Sequence, residues 1–267
     1  MCGKKDASYW CWDGIHPTEN GHGLIVRLWM DYARYDFEFA GHRAILVCPN
    51  GEPFCGEKKW IWKTEFFGAF PNAEIEMVRQ GYYLVYLGIS NLYGCDEAVG
   101  YMKEFYNYLT GKQGFAEGAV LFGFSRGGLY ARRFAAAYPQ AAAAIYLDAP
   151  VVDLRSWPGG KGSGQGGRTE WEECKECYKM TETEMEELYP KQLAKELADF
   201  AACRIPLILV AGDEDVVVPY DENGRLIEER YAGTGAPFER IMKKGVGHHP
   251  HCLEDPERIV KFLLKHS

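Results

Sequence analysis

From about Arg43 onward, short uninterrupted apolar runs alternate with longer stretches whose apolar residues recur every three or four positions. The runs are 44–48 (AILVC), 82–87 (YYLVYL), 119–122 (AVLF), 144–147 (AIYL), 206–211 (PLILVA) and, less apolar, 238–242. Runs of this length predict strands buried on both faces, as in a parallel sheet. The stretches 95–110, 127–138, 189–202 and 255–265 predict helices, the last with Pro256 near its first turn. Strand and helix in alternation predict an α/β fold with a mostly parallel, doubly wound sheet and flanking helices. Ahead of this pattern, Leu24, Ile25, Leu28, Trp29 and Tyr32 fall on one helical face, which predicts an amphipathic helix docked on the main domain. The chain therefore divides into an N-terminal segment, 1–40, and a main domain, 41–267. The glycine-rich stretch 158–168 interrupts the alternation and reads as a mobile loop or lid edge. It is not a phosphate loop, because Gly162 stands where Ser or Thr is needed and Arg155 where the first glycine should be.

A chain of 267 residues can bury a substantial core without a disulfide or metal. Its net charge of −8 argues against a nucleic-acid partner, which requires a basic footprint. The acidic run 182–187 reads as a solvated helix face. No apolar run reaches the roughly 18–20 residues that span a bilayer, so no membrane association is expected. Met1-Cys2-Gly3-Lys4-Lys5-Asp6 has no apolar stretch behind it, so as written the chain carries no signal peptide and is expected in the cytoplasm. Export of a longer parent protein is compatible with that. The nine cysteines sit mostly in predicted core segments and are expected to be reduced thiols. Cys174-x-x-Cys177 lacks a second pair at zinc-finger spacing. Neither metal nor cofactor is expected.

The chemistry concentrates in three places. Gly123-Phe124-Ser125-Arg126-Gly127 matches G-x-S-x-G between a predicted strand and a predicted helix, with Gly128 following. Such a turn lifts the serine hydroxyl to the sheet's carboxyl edge, at a helix N-terminus that favours developing negative charge. A serine hydroxyl needs a base. His248, in Gly245-Val-Gly-His-His-Pro-His251, follows the last predicted strand and is the candidate base, with His249 and His251 as rivals. The acid belongs on the loop after 207–211, where Gly212-Asp213-Glu214-Asp215 offers three carboxylates. Asp215 is the candidate orienter of the imidazole, and Asp213 is expected to bind loop amides. An oxyanion hole needs two backbone N–H groups. One is expected from Arg126, the other from Gly51 or Glu52 in the loop after 44–48. The Arg126 side chain can hold an anionic substrate or bond loop carbonyls or carboxylates.

Across 40–267, these segments, with Asp148-Ala-Pro150 and Ser156-Trp-Pro-Gly-Gly160, resemble bacterial α/β-hydrolase esterases of carbohydrate-ester breakdown. The resemblance implies an α/β-hydrolase fold with a short lid or loop insertion after the sixth strand. Separately, Asp13-Gly-Ile-His-Pro-Thr-Glu-Asn-Gly-His22 is similar to the last block of SGNH (GDSL-type) esterases, in which Asp-x-x-His supplies acid and base. The remaining blocks of that family would lie upstream, so residues 1–40 read as the tail of such a domain.

Trp60, Trp62, Phe66, Phe67, Phe70, Tyr93 and Trp157 fall in segments expected near the pocket rim. Trp60, Tyr93 and Trp157 are the substrate-binding candidates, suited to stack on sugar rings or a feruloyl group. Together with the resemblance, they imply a serine carboxylesterase acting on acetylated or feruloylated carbohydrate esters. Its substrate partner is a small-molecule or oligosaccharide ester. A generic short-chain carboxylesterase, a serine peptidase and a non-catalytic binding protein are the alternatives.

Overall fold

The computed structural model describes residues 25–50 and 58–267. Among them nine strands form one sheet: β1 Ile25–Trp29, β2 Tyr32–Phe39, β3 His42–Val47, β4 Trp60–Lys63, β5 Tyr83–Leu87, β6 Ala119–Phe124, β7 Ala142–Asp148, β8 Leu207–Gly212 and β9 Phe238–Lys243. Their spatial order is β1-β2-β3-β5-β4-β6-β7-β8-β9. Pairings from β1 to β5 are antiparallel, and all pairings beyond β5 are parallel. The helices are α1 Asn72–Arg79, α2 Asp96–Gln113, α3 Gly127–Ala137, α4 Arg168–Tyr178, α5 Glu182–Glu187, α6 Tyr189–Ala202, α7 Gly224–Tyr231 and α8 Glu257–His266. None of them is long and apolar enough to cross a membrane.

The continuous apolar runs follow from burial on two sides. Successive strand residues point to opposite faces. Trp60, Trp62, Val85, Leu121, Leu207 and Leu209 pack with α2, α3, α6 and α7. Their neighbours Ile61, Leu84, Val120, Phe122, Ile208 and Val210 pack with α1 and α8. Both faces are therefore dry over β4 to β8, and no polar alternation survives there, while the edge strand β9 stays half-exposed.

Two elements differ from the sequence reading. The run expected as an amphipathic helix is the hairpin β1–β2, which leaves Leu28 76% exposed while Trp29 and Tyr32 are buried. Its two-residue turn, Met30-Asp31, has positive φ at both positions, the geometry whose twist matches paired strands. Ala40-Gly41 repeats that geometry between β2 and β3. The period-two alternation of Tyr32-Ala-Arg-Tyr-Asp-Phe-Glu-Phe39 carries the strand signal, and it outweighs the helical spacing of the residues before it. Residues 25–39 thus belong to the same sheet as the main domain, while the Asp13–His22 block lies outside the described residues. The second difference is β4, whose four residues are all buried.

The insertion leaves the sheet after Asp148, at the end of β7, and carries α4 and α5 before α6 returns to the sheet face. Counted in chain order, it follows the seventh described strand. The glycine-rich stretch expected to be a mobile loop is tied down. The Glu222 carboxylate accepts hydrogen bonds from Ser156 Oγ, Ser163 N–H and Ser163 Oγ, each 2.6 Å long. Gln165 N–H adds a bond to the Val216 carbonyl at 3.0 Å. Cys48 is disulfide-bonded, against the expectation of reduced thiols throughout. Cys95, Cys174, Cys177, Cys203 and Cys252 are free.

Candidate active site

β6 ends at Phe124 and α3 begins at Gly127, so the chain reverses within two residues. Ser125 makes that reversal with φ of 48°, in a region most L-residues avoid. The flanking glycines are required by contact. A Cβ on Gly123 would lie 2.9 Å from the Gly127 carbonyl oxygen, and one on Gly128 only 2.5 Å from Pro150 Cβ. Ser125 N–H donates to the Asp148 carbonyl at 3.0 Å, which fixes the turn to the end of β7.

Ser125 Oγ lies 3.0 Å from His248 Nε2, and His248 Nδ1 lies 2.8 Å from Asp215 Oδ2. The other Asp215 oxygen accepts the N–H groups of Val217 and Val218 at 2.9 and 2.8 Å. Asp215 and His248 are 6% and 9% exposed. An ionised carboxylate can only accept, so Nδ1 carries the imidazole proton and Nε2 presents its lone pair to the serine hydroxyl. The loops bearing acid and base are stitched together. Glu214 N–H donates to the Val246 carbonyl at 3.1 Å, and Asp213 Oδ1 accepts Gly245 N–H at 2.7 Å. Asp213 therefore binds a loop amide, as its sequence position implied.

Gly212 lies against the carbonyls of Val246 and Gly247, with no room for a Cβ. Gly212→Ala is expected to push the histidine loop away from Asp215. We expect kcat/KM at least tenfold lower, with about 1–3 kcal/mol lost to overpacking. Ester kinetics beside thermal melts check this.

Of the rival histidines, His249 is exposed and stacks on Phe70. His251 is buried, with Nδ1 2.9 Å from Asp148 Oδ1. Asp148, fully buried, also accepts from Tyr146 OH and Cys252 N–H, each at 2.8 Å. Burial alone would raise the Asp148 carboxyl, but the His251 hydrogen bond and the Lys243 charge hold it below its usual value. Burial pushes His251 down despite Asp148. The two form a second carboxylate–imidazole pair beside the first. Sequence reasoning missed it, because its two members lie 103 residues apart in the chain.

The strand order bears on the oxyanion side. β3 runs antiparallel to β5, with Val47 opposite Leu84 and Ala44 opposite Leu87. The chain thus leaves β3 at the edge opposite the one where Ser125 sits, and Gly51 and Glu52 lie outside the described residues. The strand beside β6 is β4, and its following loop borders the serine turn. Thr64 Oγ1 lies 2.9 Å from the Gly127 carbonyl oxygen. Glu65 pairs with Arg126 Nε at 3.2 Å and accepts from Ser90 Oγ at 2.6 Å. The Arg126 side chain therefore meets a loop carboxylate.

Trp60 is not at a pocket rim. It is wholly buried in β4, stacked on Trp62, and its indole N–H donates to the Ala116 carbonyl at 2.8 Å. Tyr93 is also fully buried, with its hydroxyl donating to Glu173, so it offers no open surface to a substrate. Trp157 is half-buried, 6.4 Å from the Tyr93 ring. The Arg126 guanidinium lies 5.2 Å from the Phe66 ring and 5.8 Å from that of Tyr93. Phe66, Arg126, Tyr93 and Trp157 thus form a strip from the serine turn toward the insertion.

No family model matches the sequence, and no curated protein matches it. Solved structures do match. A puromycin-hydrolyzing peptidase of Mycobacterium tuberculosis has a TM-score of 0.62 at 14% identity, over 83% of this chain and 36% of that one. An acylaminoacyl peptidase of Pyrococcus horikoshii has 0.61 at 15%, over 91% and 40%. An S-formylglutathione hydrolase from Agrobacterium tumefaciens has 0.59 at 14%, over 91% and 96%. The chain spans well under half the length of these peptidases and nearly all of the S-formylglutathione hydrolase. At such identities the likeness concerns the fold, and the fold is that of the α/β-hydrolases.

Proposed function

We propose that the protein is a serine hydrolase acting on carboxylic esters through an acyl-enzyme, with Ser125 as nucleophile, His248 as base and Asp215 as orienting acid. The observation that carries this reading is the hydrogen-bonded chain Ser125–His248–Asp215, at 3.0 and 2.8 Å. His248 Nε2 takes the hydroxyl proton as Ser125 Oγ attacks the ester carbonyl, then returns it to the leaving alcohol. Water repeats the sequence on the acyl-enzyme. Asp215 holds the imidazole in the tautomer that accepts at Nε2, and the Val217 and Val218 amides hold Asp215. The negative charge on the carbonyl oxygen falls to two backbone amides. One is Arg126 N–H at the start of α3. The other belongs to Glu65 or Phe66 in the loop after β4, in place of Gly51 or Glu52.

For the substrate we propose acetylated or feruloylated carbohydrate esters. Half-buried Trp157 and the Phe66 ring, 37% exposed, offer apolar surface beside the serine turn, suited to a sugar face or an aromatic acyl group. Peptide hydrolysis is the second reading, favoured by the peptidases among the structures of similar fold. A panel of p-nitrophenyl esters, acetylated xylan oligomers, methyl ferulate and an aminoacyl anilide separates the two. Turnover of the xylan oligomers or the ferulate, with none of the anilide, is expected. Anilide turnover exceeding every ester would establish the peptidase reading instead.

A further inference from the structure

We propose that His248, His249 and His251 form an inhibitory site for a divalent transition-metal ion, zinc above all, which silences the protein by occupying the lone pair of its base. The inhibition rests on the catalytic reading given above, while the binding does not. One ring nitrogen from each of the three side chains lies within 4.8 Å of the others. Among the described residues no other group of three or more His, Cys, Asp or Glu side chains converges in this way. The three rings are mutually 4.9 Å apart, with interplanar angles of 65°, 81° and 87°. Rings set nearly at right angles can turn their edges toward a common point without stacking on one another. Zinc–imidazole bonds of about 2.0–2.1 Å in a tetrahedral site place the nitrogens roughly 3.3 Å apart. The site must therefore contract by about 1.5 Å at most, and exposed His249 is the side chain placed to move.

The surroundings are those of a metal-binding histidine set. Ligating imidazoles typically donate their other N–H to a carboxylate, which fixes the tautomer and raises basicity. Two of the three do so here, His248 Nδ1 to Asp215 and His251 Nδ1 to Asp148, at 2.8 and 2.9 Å. In both rings Nε2 is thereby left as the lone-pair nitrogen. Asp148 and Asp215 place two buried negative charges behind the ligands; Lys243 Nζ lies 3.5 Å from Asp148, and the other lysine that senses Asp148, Lys63, is paired with Glu74. Three imidazole ligands suit zinc, copper or nickel rather than magnesium or calcium. A metal on His248 Nε2 displaces the Ser125 hydroxyl, which keeps its proton and cannot attack. A water completes the coordination, and no covalent bond forms or breaks.

The test uses the full chain, stripped with chelator, titrated calorimetrically with ZnCl2 and spectroscopically with CoCl2. One zinc per chain is expected, with affinity at least tenfold weaker in His249→Ala and in His249→Gln. Cobalt is expected to give visible bands of a four-coordinate nitrogen site without a thiolate charge-transfer band. In ester assays zinc is expected to inhibit and EDTA to restore. The half-inhibitory zinc concentration should rise at least tenfold in either His249 variant, whose metal-free rate stays within about threefold of the parent. Absence of saturable binding, unchanged affinity in both variants, a thiolate band, or binding without inhibition of an active protein would each overturn the proposal. Zinc binding by a chain that hydrolyses no ester would sink the catalytic reading while leaving the metal site standing.

Discussion

Ser125→Ala is expected to lower kcat for ester hydrolysis about a millionfold, and His248→Ala by a similar factor, because removing either member disables the unit. The hydroxyl stands at the end of the chain Asp215–His248–Ser125, so its loss removes one hydrogen bond and creates no buried cavity. The melting temperature of Ser125→Ala should stay within a few degrees of the parent. The Ser125→Ala/His248→Ala pair should be no slower than either variant alone. Retention of more than about a hundredth of the parental rate by either single variant would remove Ser125 or His248 from the mechanism.

Asp215→Asn is expected to cost roughly ten-thousandfold in kcat, by way of the tautomer rather than of charge alone. The Val217 and Val218 amides donate to one side-chain oxygen and would keep the Asn oxygen there. Its NH2 group would then face His248 Nδ1, which must accept, so the ring proton moves to Nε2. The Ser125 hydroxyl loses its acceptor. Asp213→Asn retains an oxygen for Gly245 N–H, so it should cost under tenfold in rate and at most about 1 kcal/mol in stability. Kinetics and melts on both variants decide the matter, and a reversed pattern would move the acid to Asp213.

The parts of the fold legible in the sequence are those where one signal dominates. The strands β5 to β8 read as apolar runs because both faces are covered, and α6 matches its predicted bounds because a single stripe docks on the sheet. The convergence of Ser125, Asp215 and His248 was legible because each follows a strand at the sheet's carboxyl edge. What escaped depended on lateral order. A four-residue strand, Trp60–Lys63, is too short for a periodic signal, and its tryptophans look like pocket residues until burial is known. Without β4, the strand ending at Val47 was the nearest candidate to supply the second oxyanion donor. Its antiparallel direction brings the end of β3 to the opposite edge of the sheet. The hairpin β1–β2 was missed because Ile25, Leu28, Trp29 and Tyr32 satisfy a helical spacing by coincidence, while the positive-φ turn at Met30-Asp31 carries no glycine to announce it. The Asp148–His251 pair joins residues 103 apart in the chain, and no local pattern marks such a partnership.

The left-handed backbone at Ser125 sets thermal robustness against function at a single codon. An L-residue held at φ of 48° gives up roughly 1–2 kcal/mol relative to glycine there. Glycine's greater freedom when unfolded returns about 0.5–1 kcal/mol of that difference. Ser125→Gly should consequently melt a few degrees above Ser125→Ala, since about 1 kcal/mol moves the midpoint by roughly 2–4 °C in a chain of this size. Equal or lower melting of the glycine variant would show that the turn carries no such tension. A lineage screened for heat resistance alone would drift toward glycine at this site and emerge sturdier and, with Ser125 as the proposed nucleophile, hydrolytically silent. Any stabilisation campaign on this scaffold therefore has to couple its thermal screen to turnover, with position 125 held fixed.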